Sequence, residues 1–294
     1  MINVEDIIFI INPNSGKKQI SGIINQIERN NSELIFFVSN SYSEFKEFVE
    51  KNIEKFKVFV IVGGDGTINS SVNLFYNYPA KILAIIPTGS GNGFANEMGF
   101  KKNINSLLED ILKAEIIEID ILEANDEKFI NIFGLGFDSY VAHDFSKRKK
   151  RGLKSYVFSV SKSIFRFKPI FVEINSKESK CNGKYNILAV ANSKQFGNNA
   201  RIAPNAKPNN GSLELVLVKP FPFYYYPVFI VKLMTGKLKS SKYIDYKETN
   251  EELILKTSFN KYHIDGEPRI HEGILTIKIL PKKVQFIKTK YCKL

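Results

Sequence analysis

The chain is 294 residues long, 44% hydrophobic and 24% charged, with two cysteines and no tryptophan. This profile excludes a disordered, collagenous or coiled-coil chain, and the length suggests two domains that hold their cores without disulfides or structural zinc. A formal charge of +12 favours an anionic partner (nucleotide, nucleic acid or acidic lipid) without choosing among them.

Residues 7–11, 34–38, 58–62 and 82–86 are near-continuous apolar runs. They predict parallel strands covered on both faces by helices, which the patterns at 20–29, 42–54 and 68–76 supply. The alternation predicts a doubly wound α/β domain that binds its ligand at the carboxyl ends of the strands. After about residue 115 the rhythm changes. Strand-like runs at 115–123, 128–133, 170–174, 185–191, 212–218, 252–256 and 274–280 are separated by turn clusters such as Asn209-Asn210-Gly211. They predict an antiparallel second domain, a β-sandwich with helical insertions near 139–167 and 224–238. The border is expected at 113–118.

Three of the first-domain strands run into glycine-rich turns: Asn12-Pro13-Asn14-Ser15-Gly16-Lys17, Gly63-Gly64-Asp65-Gly66-Thr67, and Pro87-Thr88-Gly89-Ser90-Gly91-Asn92-Gly93. Glycine lets backbone N–H groups turn towards an anion, and the helix that follows adds favourable partial charge. With hydroxyls from Ser15, Thr67 and Ser90 and a cation from Lys17, the three turns are expected to cradle a polyphosphate. Neither a Walker loop nor a complete dinucleotide fingerprint is present. Asp65 stands out, because a carboxylate among phosphate-binding glycines repels the ligand. It is expected to face a magnesium ion or a nucleophile that loses a proton; the plainer role is a helix N-cap.

These turns, with Gly134-Leu135-Gly136-Phe137-Asp138 and Asp265-Gly266-Glu267-Pro268, resemble the catalytic domain shared by diacylglycerol kinases, sphingosine kinases and bacterial lipid kinases. The resemblance runs from Ile7 to Pro268. It implies a Rossmann-like nucleotide domain (1–115, with the tail 284–294 returning to it), a β-sandwich lipid domain (116–283) and an active site in the cleft between them. It also implies ATP with Mg2+ as phosphoryl donor and a lipid hydroxyl, diacylglycerol or sphingoid-like, as acceptor. Carried over by position, Asn12, Ser15, Gly16, Thr67, Gly89, Ser90 and Asn92 contact the nucleotide, alongside the cradle residues Lys17, Gly63, Gly64, Gly66 and Gly91. Asp65 and Glu267 share the chemistry, one as base and the other on the metal side, with Asp65 the candidate metal ligand. Asp138 is a candidate contact to the acceptor, against a default reading as an N-cap.

Two positions depart from the family pattern. Gly93 stands where many bacterial diacylglycerol kinases carry Asp, and Asn210 stands where an Asp often holds a structural magnesium. A soluble kinase of the superfamily, such as an NAD kinase, and a silent module binding acidic lipid are the alternatives. The basic run Lys147-Arg148-Lys149-Lys150-Arg151 is a candidate for peripheral contact with an anionic bilayer or for ATP phosphates. The aromatic run from Phe221 to Tyr226 is read first as core and second as an interfacial anchor. The three histidines show no metal spacing and suggest no catalytic role. No nucleic-acid motif is present. With no secretory signal and no apolar run of about 18 residues, a soluble cytoplasmic protein is expected.

Overall fold

The structure, a computed structural model, describes residues 2–30, 33–147, 159–160, 162–164, 166–177 and 180–294. The chain divides into two compact units, Met1–Ile119 with Lys282–Leu294, and Asp120–Pro281.

In the first unit β1 (Ile7–Ile11), α1 (Lys17–Asn30), β2 (Ile35–Val38), α2 (Tyr42–Asn52), β3 (Val58–Gly63), α3 (Asp65–Phe75), β4 (Ile82–Pro87), α4 (Gly93–Glu97), α5 (Ile104–Lys113) and β5 (Ile116–Ile119) follow in chain order. The strands β2, β1, β3 and β4 lie side by side in that order, all parallel. β1, β3 and β4 are buried along their whole length, as apolar runs are when both faces of a sheet are covered. The order reverses direction between β1 and β3. Doubly wound sheets bind ligands beyond the carboxyl ends of strands at such a point. The C-terminal strand Val284–Ile287 lies between β4 and β5, parallel to the first and antiparallel to the second. Neither α4 nor α5 is among the helices expected from the sequence pattern. α5 is opened by Asn103, whose side chain accepts the Ser106 N–H, and closed by Ala114 in the left-handed region at φ 55°.

The second unit contains β6 (Leu122–Ala124), β7 (Glu127–Phe129), β8 (Ile132–Gly136), α6 (Phe137–Ser146), β9 (Ile170–Asn175), β10 (Lys180–Tyr185), β11 (Ile187–Ala191), β12 (Leu213–Val218), a helix Tyr226–Thr235, β13 (Ile244–Thr249), β14 (Leu253–Lys256), β15 (Lys261–Ile264), β16 (Glu267–Ile270) and β17 (Ile274–Ile279). They form two six-stranded sheets, β10-β9-β14-β17-β6-β7 and β13-β12-β11-β8-β15-β16, antiparallel throughout. One core is built from both sheets, with Leu188, Val190 and Leu215 of one against Val172, Leu255 and Ile277 of the other. The alternate residues Ile187, Ala189, Val216 and Val218 pack on the far side against Phe229 and Leu238. This second layer explains why β11 and, Glu214 apart, β12 are apolar along their length although they are antiparallel.

Three expected strands are in fact pairs. The run 115–123 breaks at Asp120, 128–133 at Ile130-Asn131, and 185–191 at Asn186, and in each case the two halves belong to different sheets. Hydrophobic continuity carries across each break because buried residues flank it: Ile119 and Ile121, Phe129 and Ile132, Tyr185 and Ile187. The turning residue is marked by backbone bonds to other segments, Asp120 N–H to Pro208 O and Asn186 N–H to Val218 O. β13, β15 and β16 carry too many polar residues to stand out in the sequence.

Candidate active site

Each glycine turn of the first unit is bonded to the other two. The Asn12 amide donates to Thr67 Oγ1 at 2.8 Å, joining the turn after β1 to the start of α3. The Thr88 hydroxyl donates to Ser15 Oγ at 2.9 Å, joining the turn after β1 to the turn after β4. A Cβ at Gly89 would lie 2.8 Å from Gly64 Cα, so the last two turns touch backbone to backbone. Gly16 has φ +67°, and a Cβ there would lie 2.4 Å from the Thr88 carbonyl oxygen. Glycine is therefore required at 16 and 89 first by the packing of turn on turn, before any ligand enters. Thr88, buried at the centre of this contact, was not among the expected site residues. Its only sequence signal is its place between the strand and Gly89.

Gly63, Gly64 and Asn92 are buried beneath Asn12, Ser15, Gly16, Thr67, Gly89 and Gly91, which are half-buried, while Gly66 and Ser90 are exposed. Lys17 opens α1, and its side chain lies outside the described residues.

Asp65 is the first residue of α3, whose N-cap is Gly64. Its carboxylate does not cap that helix. It faces the backbone N–H groups of Gly93, Asn92 and Phe94, at the start of α4, and burial pushes its pKa up despite these donors. A Cβ at Gly91 would lie 2.9 Å from Asp65 Oδ2, so glycine at 91 leaves room for this carboxylate. Asn92, in the left-handed region at φ 49°, donates its amide to Gly89 O at 2.7 Å. Asp65 Oδ1 and Asn92 Oδ1 are both buried without a hydrogen-bond partner.

In the second unit the expected residues fall into two settings. Asp138 is not the N-cap of α6. Gly136 is the cap residue, at φ 113°, and the Ser139 hydroxyl closes the turn by accepting the Gly136 N–H at 3.1 Å. Asp138 instead points its Oδ2 at His263 Nε2, 3.1 Å away, with both side chains almost fully buried. The Gly266 N–H donates to His263 Nδ1 at 3.3 Å, so the ring proton sits on Nε2 and is donated to Asp138. Asp138 Oδ1 is buried and has no partner. Gly134 faces His263 across β8 and β15, and a Cβ there would lie 2.0 Å from Asp138 Oδ2, so this glycine makes room for the pair. His263, which the sequence does not mark out as a site residue, is here the partner of Asp138.

Asp265 and Gly266 form a two-residue hairpin turn with φ 50° and 85°. The Asp265 carboxylate accepts the Asn131 and Ile132 N–H groups at 3.1 and 2.9 Å, which binds the hairpin to the start of β8. Glu267 follows on the edge strand β16 and is exposed.

At the magnesium position implied for Asn210, the amide donates to Glu248 Oε1 at 2.9 Å and Oδ1 accepts the Ser212 N–H at 3.2 Å. The Gly211 N–H donates to Asp120 Oδ2 at 2.7 Å. A neutral side chain engaged on both its atoms does not fit a structural magnesium ligand. Of the basic run, Lys147 is exposed at the end of α6; Arg148, Lys149, Lys150 and Arg151 lie outside the described residues. Among the described residues no helix is long and apolar enough to cross a membrane.

Residues 6–124 match the diacylglycerol kinase catalytic domain, and residues 131–288 match the YegS C-terminal NAD kinase beta sandwich-like domain. A probable lipid kinase YegS-like of Shewanella frigidimarina is 29% identical over 241 residues, 79% of this chain and 77% of its own. The diacylglycerol kinase of Bacillus subtilis is 24% identical over 269 residues, covering 88% of each chain. The crystal structure of a putative diacylglycerol kinase from Bacillus anthracis superposes with a TM-score of 0.77 at 21% identity, over 97% of this chain and 98% of that one.

Proposed function

Because the chain belongs to the family that joins a diacylglycerol kinase catalytic domain to a YegS-type C-terminal sandwich, we propose that it is a lipid kinase moving the γ-phosphoryl group of ATP to the hydroxyl of a diacylglycerol or sphingoid-like lipid. The observation that carries this reading is the floor of the three interlocked turns, where Asp65 Oδ1 and Asn92 Oδ1 are buried and unpartnered. Two hard oxygen donors beside glycine backbone fit magnesium, which binds through one or two carboxylates and completes its shell with phosphates and water. Among the described residues no three His, Cys, Asp or Glu side chains converge. Asp65 and Asn92 would hold the ion, which when bound would offset the charge of the phosphates.

The chain's own residues then position and take a proton. The glycine turns hold the triphosphate with its γ-phosphorus in line with the acceptor. The acceptor oxygen bonds to that phosphorus, the β–γ bridging bond breaks, and ADP leaves with the electron pair. The hydroxyl proton passes to whichever of Asp65 and Glu267 does not serve the metal. Burial raises the proton affinity of Asp65, which suits a base. Asp138, fixed by His263, offers a carboxylate oxygen to the acceptor hydroxyl.

Incubation with γ-labelled ATP, magnesium and detergent-dispersed diacylglycerol, sphingosine or a total lipid extract should place label in the organic phase. Label on NAD supplied as the acceptor, with none on lipid, would overturn the lipid reading in favour of a soluble kinase.

A further inference from the structure

The helix Tyr226–Thr235 and the turn before it present apolar side chains on two opposite sides. Inward, Phe229 is buried against the sheet that holds β11 and β12, and Tyr225 and Leu233 pack with it. Outward, Val228, Val231 and Met234 recur at helical spacing, Val231 being 62% exposed, and Tyr224 extends the same side at 76% exposed. The aromatic run is thus divided. Phe221 packs on Tyr225, Tyr226 and Phe229, as the core reading expects, whereas Phe223 and Tyr224 face outwards. A helix that is apolar on two opposite sides has a second surface to cover.

The charges around it select the covering surface. Between Lys219 and Ile244 there are five lysines and no aspartate or glutamate. Lys219 is paired with Asp245 at 2.6 Å. Lys232, Lys237, Lys239 and Lys242 are exposed, and Lys232 and Lys242 sit over the rings of Tyr225 and Tyr243. Apolar side chains and tyrosines ringed by lysines match a bilayer interface, where the apolar groups enter the acyl boundary and the cations meet acidic headgroups. A protein partner of the same chemistry would need an acidic rim around an apolar centre, and residues 219–244 bring no acidic side chain with which a second copy could meet these lysines.

We infer that this helix is a membrane-docking surface that adsorbs the protein reversibly to anionic bilayers. The adsorption stands apart from the basic run at 147–151, and it does not depend on the kinase reading, which explains only its use. Centrifugation of the full chain with vesicles, without ATP, tests it. Binding to vesicles of acidic and zwitterionic phospholipid should exceed binding to zwitterionic vesicles alone and should fall steeply with salt. A Tyr224→Gln, Val231→Gln, Met234→Gln variant should lose about tenfold or more in vesicle partition with an unchanged melting temperature. It should also keep its rate on detergent-dispersed lipid, so a dead kinase and a wrong docking surface give different results. Unchanged partition of the folded variant would overturn the inference. So would equal binding to zwitterionic vesicles, or a wild-type dimer in sedimentation that the substitutions dissociate, which would make a second copy the occupant.

Discussion

The three turns of the first unit and the hairpin site of the second hold a buried carboxylate in opposite ways. Asp65 is surrounded by backbone. Its neighbours are the N–H groups of Gly93, Asn92 and Phe94, supplied by a turn 27 residues further along the chain (92 − 65). Asp138 is held by one side chain, His263, 125 positions away, in a space that Gly134 leaves open. A carboxylate set in backbone keeps its geometry as long as the turns stay packed. A carboxylate held by one imidazole is only as well placed as that residue. The two sites therefore respond differently to substitution.

The largest effect belongs to Asp65. Asp65→Asn should reduce turnover by more than about a hundredfold, the usual weight of a general base, while circular dichroism remains native. Its stability has a distinct sign. Burial raises the Asp65 pKa above the ordinary 3.8. A carboxylate raised in this way contributes stability that is complete below its unfolded value and is lost as pH climbs through the folded one. The amide does not titrate. The melting temperature of Asp65→Asn minus that of wild type should thus be smallest below pH 3.8 and grow towards neutrality. A difference that shrinks with pH would mean that the backbone donors outweigh burial.

His263→Ala comes next, and its effect is on stability. It takes from the buried Asp138 carboxylate the imidazole donor that holds it, a loss of about 3 kcal/mol. His263→Gln places an N–H near the position of Nε2 and should recover most of the melting temperature. If Ala and Gln melt alike, the pair does not hold the site.

The contrast between the units also marks what could be read in advance. The first-unit site is local: each of three apolar runs ends in glycines, and chain order alone brings the turns to one edge of a parallel sheet. Even there, the bond from Thr88 to Ser15 and the contact of Gly64 with Gly89 depend on register between strands. The second-unit site depends on register altogether. His263 was legible only as a histidine two residues before an Asp-Gly turn. What gives it a partner is the pairing of β15 with β8, which sets it opposite Gly134. A glycine inside a strand was the available signal, since it marks a place where another group approaches closely. The strands that broke at Asp120 and Asn186 escaped for a related reason. Hydrophobic pattern reports burial, and the residues on either side of each break, Ile119 and Ile121 or Tyr185 and Ile187, are buried.

Two glycine variants sharpen the comparison at smaller cost. Gly89→Ala would drive a Cβ to 2.8 Å from Gly64 Cα, where no flexible side chain can give way. A loss of about 1–3 kcal/mol is expected from such overpacking, together with weaker ATP binding by calorimetry. Gly266→Ala has open space around the new Cβ but a φ of +85°. It should lose only about 1–2 kcal/mol from left-handed strain and leave ATP binding unchanged. Equal ATP affinity in the two variants would show that the contact between turns does not shape the nucleotide site.

The smallest effect concerns the turn at Asn210, where this chain departs from its family. The exposed amide donates to Glu248, and Ser212 donates both its backbone N–H to Asn210 and its hydroxyl to Glu248. The turn is thus closed by donors that a metal would have to displace. Chelation of divalent cations with EDTA should leave the wild-type melting temperature unchanged even where it stops turnover. Asn210→Asp replaces a donor with a second carboxylate facing Glu248. Because the position is exposed, the repulsion is screened and the loss should be about 0.5–1 kcal/mol. In this variant two carboxylates and the nearby Asp120 provide the hard oxygens that the native turn lacks, so millimolar magnesium should recover the melting temperature, and EDTA should remove the recovery. A wild-type protein whose melting temperature falls on chelation would place a structural ion in this turn despite the neutral residue. A variant indifferent to magnesium would mean that the turn's geometry, more than the charge at 210, excludes the ion.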